Sequence, residues 1–148
     1  MSMSITFTKL DYIWLSLLIA AIIVFILWLI SRRLKRVEID SFSQEKIKKQ
    51  WQEIENLLSQ DSASAWKLAV LEADKLLDYT LKAIGLPGKD LGERLRAAAY
   101  NYSKIREVWP AHKVRNRLVH EAEYQLDKRT ARRAVEQFKK ALKILRAL

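Results

Sequence analysis

The chain has 148 residues, 27 of them basic and 17 acidic, for a net charge of +10. It contains no cysteine and two histidines eight residues apart. That excludes disulfide frameworks, zinc ribbons and thiol nucleophiles, and leaves no protein-built metal site to expect. Three glycines, two prolines and the lack of β-branched alternation point to an all-α chain, while the positive excess suits an anionic partner, RNA or a phospholipid surface.

The first predicted element is apolar. Residues 12–30 are 19 long, with Ser16 the single clearly polar member. As a helix this stretch measures about 28 Å, close to the hydrocarbon thickness of a bilayer. Tyr12 and Trp14 stand at one end and Trp28 at the other, where aromatic rings favour the membrane interface. A cleaved signal peptide fits poorly: the apolar run is too long, and Ser31-Arg32-Arg33 is no small-residue cleavage site. A single transmembrane helix is therefore expected. Arg32, Arg33, Lys35 and Arg36 follow it, against Lys9 alone before it. That bias places the amino terminus outside and the carboxy-terminal domain in the cytoplasm.

Residues 32–60 are expected to form a basic juxtamembrane linker and a packing or stalk helix. The helix is predicted over 43–59, with Ile47, Trp51, Ile54 and Leu58 at helical spacing and Ser41 and Gln44 at capping-box spacing. A second helix is predicted from 61 or 62 to about 84, on the stripe Trp66, Ala69, Val70, Ala73, Leu77, Leu81 and Ile84. Gly85 ends it, and Leu86-Pro87-Gly88 makes the turn. Asp74 and Asp78 lie along the edge of that stripe. They are either two solvated carboxylates, or Asp74 pairs with Arg115.

Asp90 and Glu93 open a short helix to about residue 100. The helix that follows contains Pro110, which either kinks it or marks its first turn. Projected at about 100° per residue, Ile105, Val108, Ala111, Leu118, Val119 and Ala122 share one apolar stripe. Arg115 falls in the middle of that stripe, and a guanidinium aimed at a core or an interface must be paired. His112, Asn116 and His120 run four apart along its border, while Arg117 lies on the solvated side. Asp127 is expected to cap a last helix on Ala131, Ala134, Val135, Phe138, Leu142, Leu145 and Leu148. Residues 111–148 hold eleven basic and four acidic side chains, so most of the excess charge surrounds this region. Lys139 and Lys140 belong to it, on either a solvated face or a nucleic-acid or lipid contact.

The run Arg115-Asn116-Arg117-Leu118-Val119-His120-Glu121 resembles the Arg-x4-His signature of the HEPN superfamily. The resemblance covers residues 61–148. It implies a small up-and-down helical bundle with the motif in a late helix. It also implies a homodimer, and in many members a metal-independent endoribonuclease whose site is assembled across that dimer. Other members are catalytically silent, so a non-catalytic, membrane-anchored dimerisation or nucleotide- or RNA-binding module is the alternative. A toxin- or defence-like setting with an external regulator or antitoxin is left open.

No Gly-rich phosphate loop, Gly-x-Ser-x-Gly turn or EF-hand pattern is present, and no cofactor is expected. The chemistry left is arginine and histidine acting on phosphate. RNA supplies its own nucleophile, the 2′-hydroxyl. His120 can move a proton at neutral pH, Arg115 can hold two phosphate oxygens in its planar fork, and Asn116 can orient the imidazole or bind phosphate. His112, Arg117, Lys139 and Lys140 are the candidate RNA or phosphate contacts. On a straight helix Arg115 and His120 point about 140° apart, so a two-fold dimer or a frayed helix end is needed to converge them. In the opposing structural reading, Arg115 is a buried ion-pair partner and His120 merely closes its helix.

Overall fold

A computed structural model describes the backbone of residues 9–34 and 39–148, with side chains in the first helix described for Tyr12 and Trp14–Leu29. All regular structure among these residues is helical. The chain divides into two units, the first holding helix α1 (Lys9–Leu34) and the second everything from α2 onward.

Every described side chain of α1 is exposed, and from Trp14 to Leu29 all but Ser16 are apolar. Among the described residues no helix is long and apolar enough to cross a membrane, the described side chains of α1 running unbroken only over those 16 positions. The single span expected at 12–30 therefore rests on the sequence. The side chains of Arg32, Arg33, Lys35 and Arg36, on which its orientation was read, lie outside the described residues, as do residues 37 and 38 of the expected linker.

The second unit is a helical bundle of α2 (Ser41–Ser59), α3 (Ala63–Ala83), α4 (Leu91–Asn101), a 3₁₀ turn (Ser103–Val108), α5 (Trp109–His120) and α6 (Lys128–Ile144). Helix α3 is its axis and packs against α2, α4, α5 and α6. That is why its buried positions spread beyond the expected stripe to Leu76, Asp74 and Thr80. The Thr80 hydroxyl is satisfied by donating to the Leu76 carbonyl at 2.8 Å.

Of the two roles open to the 43–59 segment, α2 packs. Ile47, Trp51 and Ile54 are buried against the bundle. It starts at Ser41, inside the expected linker, because Asp40 and not Ser41 caps it: Asp40 Oδ1 accepts from the Ser43 amide at 2.9 Å.

Helix α3 ends as expected. Gly85 takes φ +72°, its amide donates to Lys82 O at 2.8 Å and that of Leu86 to Leu81 O at 3.0 Å. These are the paired bonds of a Schellman cap. At α4, Asp90 Oδ1 accepts from the Glu93 amide at 2.8 Å, while Glu93 reaches back to the Lys89 amide at 2.7 Å. Pro110 sits in the first turn of α5 and does not kink it. Although Ile105 and Val108 precede α5, the 3₁₀ turn still buries both.

Candidate functional site

Helix α5 supplies most of the site because three turns of it flank a groove of about 620 Å³ beside α3 and the start of α4. His112, Arg115, Asn116 and His120 all line it, together with Asp74 of α3, Gly92 of α4 and Trp109. Four of the seven predicted site residues thus share one groove. Arg115 and His120 line it from flanks of α5 about 140° apart.

The floor of the site is Asp74, whose side chain is 4% exposed. Its Oδ1 lies 2.7 Å from His112 Nδ1, and its Oδ2 lies 3.1 Å from Arg115 Nε. The Arg115 N–H is not aligned on that oxygen and Nε has no hydrogen bond, so the contact is an ion pair without the directional bond. Arg115 Nη1 donates to Asn116 Oδ1 at 3.0 Å. Nη2 makes no hydrogen bond among the described residues, and the side chain as a whole is half-buried. The apolar-stripe position of Arg115 therefore has its expected explanation, a carboxylate on the facing helix.

His112 is buried, with Trp109 packed edge-on at 5.8 Å between ring centroids. His120, the last residue of α5, is exposed and makes no hydrogen bond among the described residues. Val119, expected on the core stripe, is 51% exposed, and Ala122 is exposed too. The apolar face of α5 is covered only as far as the half-buried Leu118.

Three predicted phosphate contacts lie outside the groove. Arg117 pairs with Glu121 at 3.0 Å and stands 4.0 Å over the Tyr124 ring. Lys139 is bound to Glu55 of α2, and Lys140 is exposed on α6. These three stand at the surface, Arg117 on α5 and Lys139 and Lys140 on α6, as candidate contacts separate from the groove.

Other groove residues carried a weaker signal. Arg96 and Lys113 are exposed lining residues with no ion pair among the described residues. The acidic lining residues, by contrast, are engaged. Asp74 holds His112 and Arg115, Asp78 holds Arg94 and Lys82 at 2.7 Å each, and Asp90 caps α4. The uncommitted charge of the groove is thus positive. Arg94, buried on α4, could have been found by the signal that found Arg115, since it interrupts the stripe Leu91, Leu95 and Ala98.

Compared with protein-family models, with curated proteins and with solved structures, the chain matches none.

Proposed function

We propose that the chain is a membrane-anchored, HEPN-like endoribonuclease that cleaves RNA by attack of the 2′-hydroxyl, without a metal, at a site shared across a homodimer. The observation that carries this reading is the groove in which Arg115, Asn116 and His120 stand together while its spare charge is positive. Arg115, anchored through Nε on Asp74 and Nη1 on Asn116, offers its remaining nitrogen to a phosphate oxygen. His120, free at the helix end, protonates the departing 5′-oxygen. General acid–base catalysis of this kind contributes about 10²–10⁴-fold.

Two features support the dimer and the anchor. Val119 and Ala122 leave the end of the α5 apolar face uncovered in one copy, where a second copy related by a two-fold axis can pack. The exposed apolar side chains of α1 and the aromatic residues at its ends suit a bilayer. The basic residues that follow the apolar stretch of α1 in the sequence suit an orientation with the helical unit in the cytoplasm.

A second reading is favoured by one observation. Arg115 already has a carboxylate partner, as a purely structural arginine would, and this suits a non-catalytic, membrane-anchored dimerisation or RNA-binding module. The full-length protein in detergent micelles, incubated with RNA in EDTA, separates the two. Cleavage to 2′,3′-cyclic phosphate ends, with an all-2′-deoxy strand left intact, supports the nuclease. RNA bound but uncut leaves the binding module.

A further inference from the structure

The sequence marks His112 as a phosphate contact, but its surroundings suit a proton-transfer group. Its Nδ1 faces Asp74 Oδ1 at 2.7 Å. With the proton on Nδ1 donated to that carboxylate, the lone pair is left on Nε2. Nε2 has no hydrogen-bond partner among the described residues and is not sealed from solvent as Arg115 Nε is. It looks onto the bare backbone of Gly92, where an added Cβ would stand 3.9 Å away. The imidazole is fixed on three sides, by Asp74, by the Trp109 edge and by burial, and open toward the groove.

The second observation concerns Arg115. Its Nε contacts the other oxygen of the same carboxylate at 3.1 Å, so one buried aspartate sits against the guanidinium and the imidazole side by side. Three residues apart on α5, the two point about 60° from each other, against about 140° for Arg115 and His120. Arg115 and His112 are therefore a preassembled pair within a single protomer.

We propose that His112 is a further catalytic residue of this groove, the general base, with Asp74 as its positioning residue and His120 as the general acid. This rests on the ribonuclease reading above. In the step, His112 Nε2 takes the proton of the 2′-hydroxyl and the 2′-oxygen bonds to phosphorus. The bond from phosphorus to the 5′-oxygen breaks, and that oxygen leaves with the proton given by the His120 imidazolium. The products are a 2′,3′-cyclic phosphate and a 5′-hydroxyl. Exchange with water returns His112 to its neutral form and His120 to its charged one.

Acid and base are separated by a leaving group that needs no proton. Full-length wild type, His112→Ala, His112→Gln and His120→Ala are assayed in EDTA on two oligoribonucleotides. One has an ordinary 5′-oxygen at the scissile bond, the other a 5′-bridging sulfur, which departs as thiolate. Affinity for an uncleavable 2′-O-methyl strand reports an intact groove, and His112→Gln keeps an amide that can still donate to Asp74. On the oxygen substrate all three variants are expected to lose about 10²–10⁴-fold in turnover. On the sulfur substrate His120→Ala recovers and both His112 variants do not, with affinity for the 2′-O-methyl strand unchanged. Wild-type turnover in a His112 variant, or its recovery by sulfur, overturns the base assignment and leaves the ribonuclease standing. Loss of strand binding in both His112 variants also overturns it, making His112 structural. A wild-type protein that leaves both substrates intact overturns the two readings together.

Discussion

Among the described residues Asp74 carries more of this molecule than any other single carboxylate, because in a buried setting it pairs with the Arg115 guanidinium and holds the His112 imidazole at once. Asp74→Ala leaves Arg115 and His112 facing an apolar gap, and breaking a buried pair from one side costs about 3–5 kcal/mol. The half-exposed Arg115 lowers this toward the bottom of that range, which a denaturant titration can read. Arg115→Lys keeps the charge but loses the fork, the bond to Asn116 included, so RNA turnover should collapse while the melting temperature changes little. The groove also redirects the charge prediction. Arg96→Gln with Lys113→Gln should weaken RNA binding and flatten its salt dependence by about 1.4 in log–log slope, at about 0.7 per single-strand phosphate. Lys139→Gln, whose cation is committed to Glu55, should leave that slope unchanged.

Helix ends give the clearest element-scale tests. At the end of α6, Arg146 takes the left-handed conformation at φ 59°. Its amide donates to Lys143 O and that of Ala147 to Leu142 O, the cap that Gly85 makes for α3. A side chain in that conformation costs about 1–2 kcal/mol, and glycine avoids the steric part of it. Arg146→Gly should therefore raise stability by about 1 kcal/mol and Gly85→Ala lower it by about the same amount. The Gln44 side chain donates to the Arg146 carbonyl at 3.2 Å, a backbone contact that the glycine variant retains.

These ends also show why parts of the fold were legible and others were not. Gly85, Asp90 and Asp127 announced their caps because the chemistry of a cap is local, confined to four or five residues. Asp40 is obscured in the sequence because Ser41 and Gln44 offer a competing pattern at the same spacing. The apolar periodicity of α5 runs on to Val119 and Ala122, which the fold leaves exposed, because periodicity reports which residues share a face but not where the helix or its neighbour stops. At the site, Arg115 stands out in sequence as a charge among apolar residues, and Asp74 is a carboxylate at the stripe's edge on α3, the helix that faces it. That Asp74 also holds His112 was not legible. It depends on the placement of α5 against α3, and on His112 and Arg115 straddling one carboxylate.

At the scale of the whole molecule, acid should loosen the helical unit in a defined direction. Lys139 and then the Trp51 indole hold the Glu55 carboxyl below its ordinary value, and the Thr130 hydroxyl and amide do the same for Asp127 at the start of α6. The Asp40 carboxyl is lowered likewise by Ser43. A group whose folded pKa is depressed contributes stability that is present above its unfolded value, near 4, and is lost as pH falls through the folded one. The melting temperature should thus be flat with respect to these groups above about pH 5 and decline below about pH 4. Replacing Glu55 by Gln should shrink that decline.

The membrane reading makes the largest-scale prediction, and the chain is well suited to test it because it has no cysteine of its own. The 19 residues from 12 to 30 are apolar apart from Ser16, and the basic residues after them outnumber the one before. If the helix spans with its basic end inside, a cysteine placed at Gln60, in the loop between α2 and α3, lies in the cytoplasm. A membrane-impermeant thiol reagent should then miss it in intact cells and label it after permeabilisation. A cysteine at Ser4 should label in both. The reverse pattern would invert the topology and put the groove outside, away from intracellular RNA. That would contradict the ribonuclease as well as the orientation. Labelling of both positions in intact cells, with the protein recovered soluble without detergent, would remove the span itself. The helical unit and its groove would then have to be explained without an anchor.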